Sequence, residues 1–223
     1  MEAVDQLLFG YRDGHQLLAA SRTISPRQQR ELLPHVDASF ERSDARQLVG
    51  IGVPALDAYL LGAIWPAPER PRPGAVWAHA LLIGTDQLAR LPLLGLLTLL
   101  ERPRDDHLER YSRRLPWPAL PREGARLAPF SRALAWALHS TDPSPVIVLW
   151  DFPDVAEGAL LALLDETPGP ERMALSFRTR ESARPSSPYR IQVASDVSGQ
   201  LGAAREILID PRYSGPDSVS ATG

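Results

Sequence analysis

The chain has 223 residues, an apolar fraction of 44% and a formal net charge of −3. That suits a domain with a full core and gives no general attraction to nucleic acid or anionic membranes. There is no cysteine, lysine or asparagine, and all 24 basic residues are arginine, which excludes disulfides, thiolate nucleophiles, zinc–thiolate sites, lysine Schiff bases and every phosphate cradle built on a lysine.

Gln6 to Ser21 reads as a β-hairpin. Asp13-Gly14 lies between apolar runs, and Asp-Gly is favoured where a two-residue turn needs positive φ. Such a turn pairs Arg12 with His15, Tyr11 with Gln16, Phe9 with Leu18 and Leu8 with Ala19. Both faces of the pair are partly apolar, so a covered sheet is expected. Ser25-Pro26 opens a helix to about Leu33, with Ser at the N-cap and Pro at the first position. Val53 to Trp65 fits either strand or helix, and Pro66 to Gly74 is a proline-rich surface loop. Ala75 to Ile83 reads as a buried strand with Trp77, His79, Leu81 and Ile83 on one face.

Thr85 is placed to cap a helix from Asp86 to about Leu100, which Pro92 either kinks or starts. A polar helix follows from about Asp105 to Arg114 and is broken off by Pro116, Pro118 and Pro121. Gly124 to His139 has the spacing of an amphipathic helix. Pro145 to Asp151 is the strongest strand, Val155 to Leu164 is helical, and Arg172 to Thr179 alternates like a strand. Together they suggest a βαβ unit. Tyr189 to Ala194 and Glu206 to Ile209 are weaker strands. One globular domain over residues 1–210 is expected, with a flexible Ser/Gly/Asp-rich tail over 211–223. The apolar run Leu91 to Leu100 is about half of a membrane span. The acidic start Met1 to Asp5 has no apolar export segment, so a cytoplasmic protein is expected.

Few residues suggest chemistry. Asp13, His15 and His79 could serve an enzyme of unrecognised type, if the histidines meet across the sheet in a cleft. The set lacks a nucleophile, and turn geometry is the favoured account of Asp13 and Gly14, since Asp bonds its own turn backbone and Gly supplies positive φ. His35, His107 and His139 show no metal-ligand spacing, and neither a metal nor a cofactor is expected. The run ending at Asp151 imitates a Walker B strand without its Walker A loop, and no GxSxG elbow is present. Trp77, Trp136 and Trp150 read as core. Trp65 and Trp117 flank proline-rich loops. Trp65, Glu69, Arg70 and Arg72 form a candidate partner-binding loop, since Trp and Arg are enriched at binding hot spots and proline lowers the entropy lost on ordering.

Three stretches then carry a family resemblance: QLLFGYRDGHQLLAAS at the start, AIWPAPERPRPGAVWAHALLI in the middle and ERMALSFRT later. The chain resembles the N-terminal domain, type 1, of the bacterial GTPase-associated proteins, over roughly residues 4 to 180. The middle stretch is the most specific, with its Trp-Pro entry, proline-rich loop and Trp-x-His-x-Leu-Leu strand. The resemblance implies a non-catalytic adaptor or scaffold that contacts protein partners, a GTPase encoded nearby among them. The setting it implies is a bacterial NTP-dependent conflict system such as antiviral defence. It brings no catalytic residue with it. Members are usually longer, so a fragment or a short form is expected.

The expected fold is mixed α/β of the α+β kind. It has a mixed sheet with an N-terminal β-hairpin, several packed helices and a C-terminal βαβ-like unit.

Overall fold

The computed structural model describes residues 2–38, 40, 46–118, 146–149, 153–180, 188–194, 206–209 and 219–222. The strands are β1 (Ala3–Tyr11), β2 (His15–Ala20), β3 (Gln47–Val53), β4 (Ala58–Pro66), β5 (Val76–Gly84), β6 (Leu115–Pro116), β7 (Val146–Leu149), β8 (Phe177–Thr179), β9 (Ile191–Ala194), β10 (Glu206–Ile209) and β11 (Val219–Thr222). They form one mixed sheet in the order β11-β10-β7-β9-β8-β3-β4-β5-β1-β2, with β6 beside β1. The strands from β3 to β2 pair antiparallel, whereas β10, β7, β9 and β8 pair parallel. An antiparallel β3–β8 contact joins the halves. The expected mixed fold is therefore what forms. β9 lies between β7 and β8, so the βαβ unit is a crossover that skips one position.

Covering layers explain why β4 and β5 are buried almost throughout. One face of this pair carries Tyr59, Leu61, Ala63, Trp65, Leu81 and Ile83, together with Trp77. The other carries Ala58, Leu60, Ile64, Ala78, Ala80 and Leu82. Helix α1 (Pro26–Val36) covers the second face with Leu32 and Val36. Its start follows the local rule: Gln28 N–H donates to Ser25 Oγ at 3.3 Å and Ser25 N–H donates to Gln28 Oε1 at 2.9 Å, a complete capping box.

The first hairpin turns differently from the two-residue expectation. Tyr11 faces His15 and Leu8 still faces Ala19, but Phe9 faces Leu17. The turn takes three residues, and β2 absorbs one extra, Leu18, as a bulge. Gly14 sits at φ 137° with nothing within 4 Å of an added Cβ. Gly14→Ala should therefore destabilise by about 1 kcal/mol through backbone conformation alone. Thermal melts that match wild type would show that the turn relaxes at no cost.

The expected helix over Asp86 to Leu100 is two pieces. Helix α2 (Thr85–Arg90) stops because Leu91, before Pro92, is extended at φ −110°, ψ 140°, as residues preceding proline prefer. Gly84, not Thr85, is its N-cap. A 3₁₀ turn over Leu94–Leu99 follows, and the Asp165 carboxylate accepts from the N–H groups of Leu93 and Leu94 at 2.6 and 3.2 Å. The polar helix expected after it is a 3₁₀ segment, Asp105–Ser112, broken at His107.

The expected strand over Arg172 to Thr179 is mostly helix. After α3 (Pro153–Glu166) comes α4 (Gly169–Ala174), and only Phe177–Thr179 pairs as a strand. Helix α4 lies so close to β3 that a Cβ on Gly52 would stand 2.3 Å from the Met173 carbonyl oxygen. Val219–Thr222, inside the expected tail, pairs with β10. The expected helix over 124–139, with Trp136 and His139, lies outside the described residues, as do Trp150 and Asp151. Among the described residues no helix is long and apolar enough to cross a membrane.

Two buried charged groups tie the layers together. Arg172 on α4 is 5% exposed. It donates to the carbonyls of Leu88, Leu91, Asp165 and Thr167 at 2.7 to 3.2 Å. These are the last carbonyls of α2 and α3, where a helix lacks internal donors and its dipole favours a cation. Glu157 on α3 is 1% exposed. It accepts from Thr179 Oγ1 at 3.0 Å, from Arg46 at 3.1 Å and from Arg180 at 3.4 Å, binding α3 to the entry of β3 and the exit of β8.

Candidate functional site

The alternation of a strand decides first which candidates can meet. His79 on β5 faces Leu8 on β1, and the next pair, Phe9 with Ala78, points to the opposite side. His15 stacks on Phe9, with ring centroids 6.3 Å apart. His15 and His79 therefore lie on opposite faces of the sheet and share no cleft. Asp13 is exposed at the turn.

His79 is fully buried, and its ring is fully occupied. Glu101 N–H donates to Nδ1 at 3.2 Å, so the ring proton sits on Nε2 and is donated to Gln6 Oε1 at 3.0 Å. Gln6 Nε2 donates in turn to the carbonyls of Arg110 and Arg113 at 3.0 and 2.6 Å. Tyr111 meets the ring edge-on at 5.0 Å. Burial first, then the Arg110 charge, pushes the His79 pKa down from 6.5 to about 3. This is a polar clamp that anchors the 101–113 segment to β5 and β1.

The clamp has a pH signature. Between pH 3 and 6.5 the unfolded chain binds a proton at His79 that the folded chain refuses. Stability is full above the unfolded value and falls by about 1.4 kcal/mol per unit as pH drops below it. Burial also lowers the pKa values of His15 and His35, which steepens the loss. Urea denaturation at pH 7 and pH 5 should show a shallower pH dependence in His79→Gln than in wild type. Identical dependence would mean that His79 is protonated in the fold.

The candidate loop also divides. Trp65 is 8% exposed and sits in the main core, opposite Trp77. Its expected role in partner contact is therefore corrected: the β4–β5 pairing runs on to Pro66 and Val76 and carries Trp65 into the sheet. Trp117 is partly buried against the same core.

The rest of the loop folds onto Trp77 and Tyr11. Trp77 Nε1–H donates to Glu69 Oε1 at 2.7 Å, and Arg102 donates to both Glu69 oxygens at 2.9 and 2.7 Å. The Arg70 guanidinium lies 4.5 Å from the centre of the Trp77 ring, and that of Arg72 lies 5.4 Å from the centre of Tyr11. Arg72 and His15 meet at one place, a cavity of about 150 Å³ that Tyr11, Asp37 and Gly74 help to line. Burial holds the His15 imidazole below its usual pKa, against the pull of Asp37. A second, more open depression of about 550 Å³ is lined by Ile51, Gly52, Pro54, Asp57, Thr85, Met173, Ala174 and Ser176.

Sequence reasoning missed Gln6, Glu157, Arg172 and Arg110. Nothing marks Gln6, Glu157 or Arg172 as buried until the elements that surround it are in place, and Arg110 matters only through its neighbours His79 and Tyr111.

Residues 3–100 match the family model described as GTPase-associated protein 1, N-terminal domain type 1. The resemblance read from the first two sequence stretches is borne out over those residues. The third stretch, ERMALSFRT, lies beyond the match. In the structure the matched residues run from β1 to the end of the 3₁₀ turn after α2, and include β1 to β5. No curated protein matches the chain.

Proposed function

We propose that the chain is a non-catalytic adaptor domain of a bacterial GTPase-associated system, acting in the cytoplasm through protein–protein contact. The partner we favour is a GTPase encoded nearby, in an NTP-dependent conflict system of the antiviral kind. The observation that carries this is the family match over residues 3–100. Three features of the structure support it. The histidines that would make an enzyme stand on opposite faces of the sheet, with His79 committed to a structural clamp. The cavity that holds Arg72 is smaller than the roughly 300–1,000 Å³ of ordinary ligand pockets. Among the described residues, the larger depression has no arginine or histidine in its lining to hold a phosphate.

The contact surface in this reading is the loop between β4 and β5, through Glu69, Arg70 and Arg72. A pull-down from the native host, with the GTPase locked in its GTP-bound or GDP-bound state, tests the proposal. Retention of the GTPase in at least one state is expected. Absence in both states overturns the reading.

A further inference from the structure

Three arginines hold their guanidinium groups over aromatic rings. Arg70 covers Trp77 and Arg72 covers Tyr11. Arg110 covers Tyr111, 5.0 Å from its ring centre. The rings belong to one cluster: Trp77 and Tyr111 are buried in it with Leu8, Ala67 and Ala75, and Tyr11 packs against it. A guanidinium held over a ring keeps its planar fork of N–H donors, and here that of Arg72 belongs to an exposed residue. An arginine fixed in this way has lost side-chain freedom before any partner arrives, so binding costs it less entropy.

This surface already holds carboxylates. Glu69 sits between Trp77 Nε1 and Arg102, and Glu101 pairs with Arg110. Arg104 and Arg113, on the same segment as Arg110, are exposed and have no ion-pair partner among the described residues. The planar fork of a guanidinium fits a carboxylate with two parallel hydrogen bonds.

We propose that this arginine-covered aromatic patch docks an acidic, glutamate- or aspartate-rich segment of a protein partner. The proposal rests on the adaptor reading and gives that partner its chemistry. A nucleic acid fits less well. Its bases need open aromatic faces to stack on, and here two rings are buried and the third is covered by Arg72. The net charge of −3 also opposes a long polyanion.

The test is fluorescence anisotropy on the full chain with a labelled oligoglutamate peptide, beside a single-stranded oligonucleotide of equal length. The peptide should bind the wild type, and more weakly as salt rises. Arg70→Gln/Arg72→Gln should lower its affinity at least about tenfold, the fold-change that separates hot-spot residues from bystanders, while melting close to wild type. Tighter binding of the oligonucleotide overturns the proposal, as does no peptide binding or undiminished binding by a folded variant. The variant also separates this proposal from the one before it. If it retains the GTPase like wild type, the patch is not the docking surface and the adaptor reading stands. If wild type itself retains no GTPase, the adaptor reading falls.

Discussion

Trp65→Ala is expected to lower stability by about 3–5 kcal/mol, the usual range for truncating a buried aromatic residue to alanine. Trp65 ends the buried face of β4, packed in one cluster with Leu61, Ala63 and Leu100 and paired across the ladder with Trp77. Removing it opens a void beneath the loop that carries Glu69, Arg70 and Arg72, and the nearby backbone pairing of Pro66 with Val76 limits collapse. Arg70→Ala should by contrast cost about 1 kcal/mol or less, since its cation–π contact with Trp77 lies at the edge of the core and its loss leaves no large void. Urea denaturation of the two single variants reads the difference. Equal small losses would show Trp65 to be a surface residue after all.

Arg172→Ala should be comparably severe, at about 3–5 kcal/mol. Truncation takes away the shared donor of four buried or half-buried carbonyls and the nearest cation to Asp165, 3.8 Å away. Each orphaned polar group costs about 1–3 kcal/mol. Burial already raises the Asp165 pKa, against the pull of the Leu93 and Leu94 N–H groups and Arg172. Losing the arginine should raise it further and make the variant more sensitive to pH. Arg172→Lys should rescue little, because an ammonium cannot reach the ends of both helices in one plane. A lysine variant as stable as wild type would mean that charge alone is needed there.

The fold was legible where its cause is local. The capping box at Ser25 and Gln28, the positive φ at Gly14 and the buried strand before Gly84 all follow from neighbours in sequence. It was illegible where the cause is distant. β3 was hidden because Gly50 and Gly52 interrupt its apolar pattern. They are glycines because Phe177, Tyr59 and Met173 occupy the space of their side chains. The alternation from Arg172 to Thr179 imitated a strand, yet Pro170 stands in the first turn of α4 and Arg172 turns inward to the ends of two other helices. Trp65 looked like part of a surface loop because it adjoins proline, and only the ladder with Trp77 places it in the core. Of the candidate site, the arginines of the 66–75 loop could be read from the sequence. Their stacking on Trp77 and Tyr11 could not, because it depends on a loop folding back across its own strand.

In the proposed function this domain works by contacting a protein and has no nucleotide site of its own. Isothermal titration of the chain with GTP, alone and then with the GTPase present, tests that most directly. No heat of binding from the isolated chain is expected, together with saturable binding to the nucleotide-loaded GTPase. Micromolar GTP affinity in the isolated chain would contradict the account, and an arginine-and-backbone phosphate site would then have to be found in the fold.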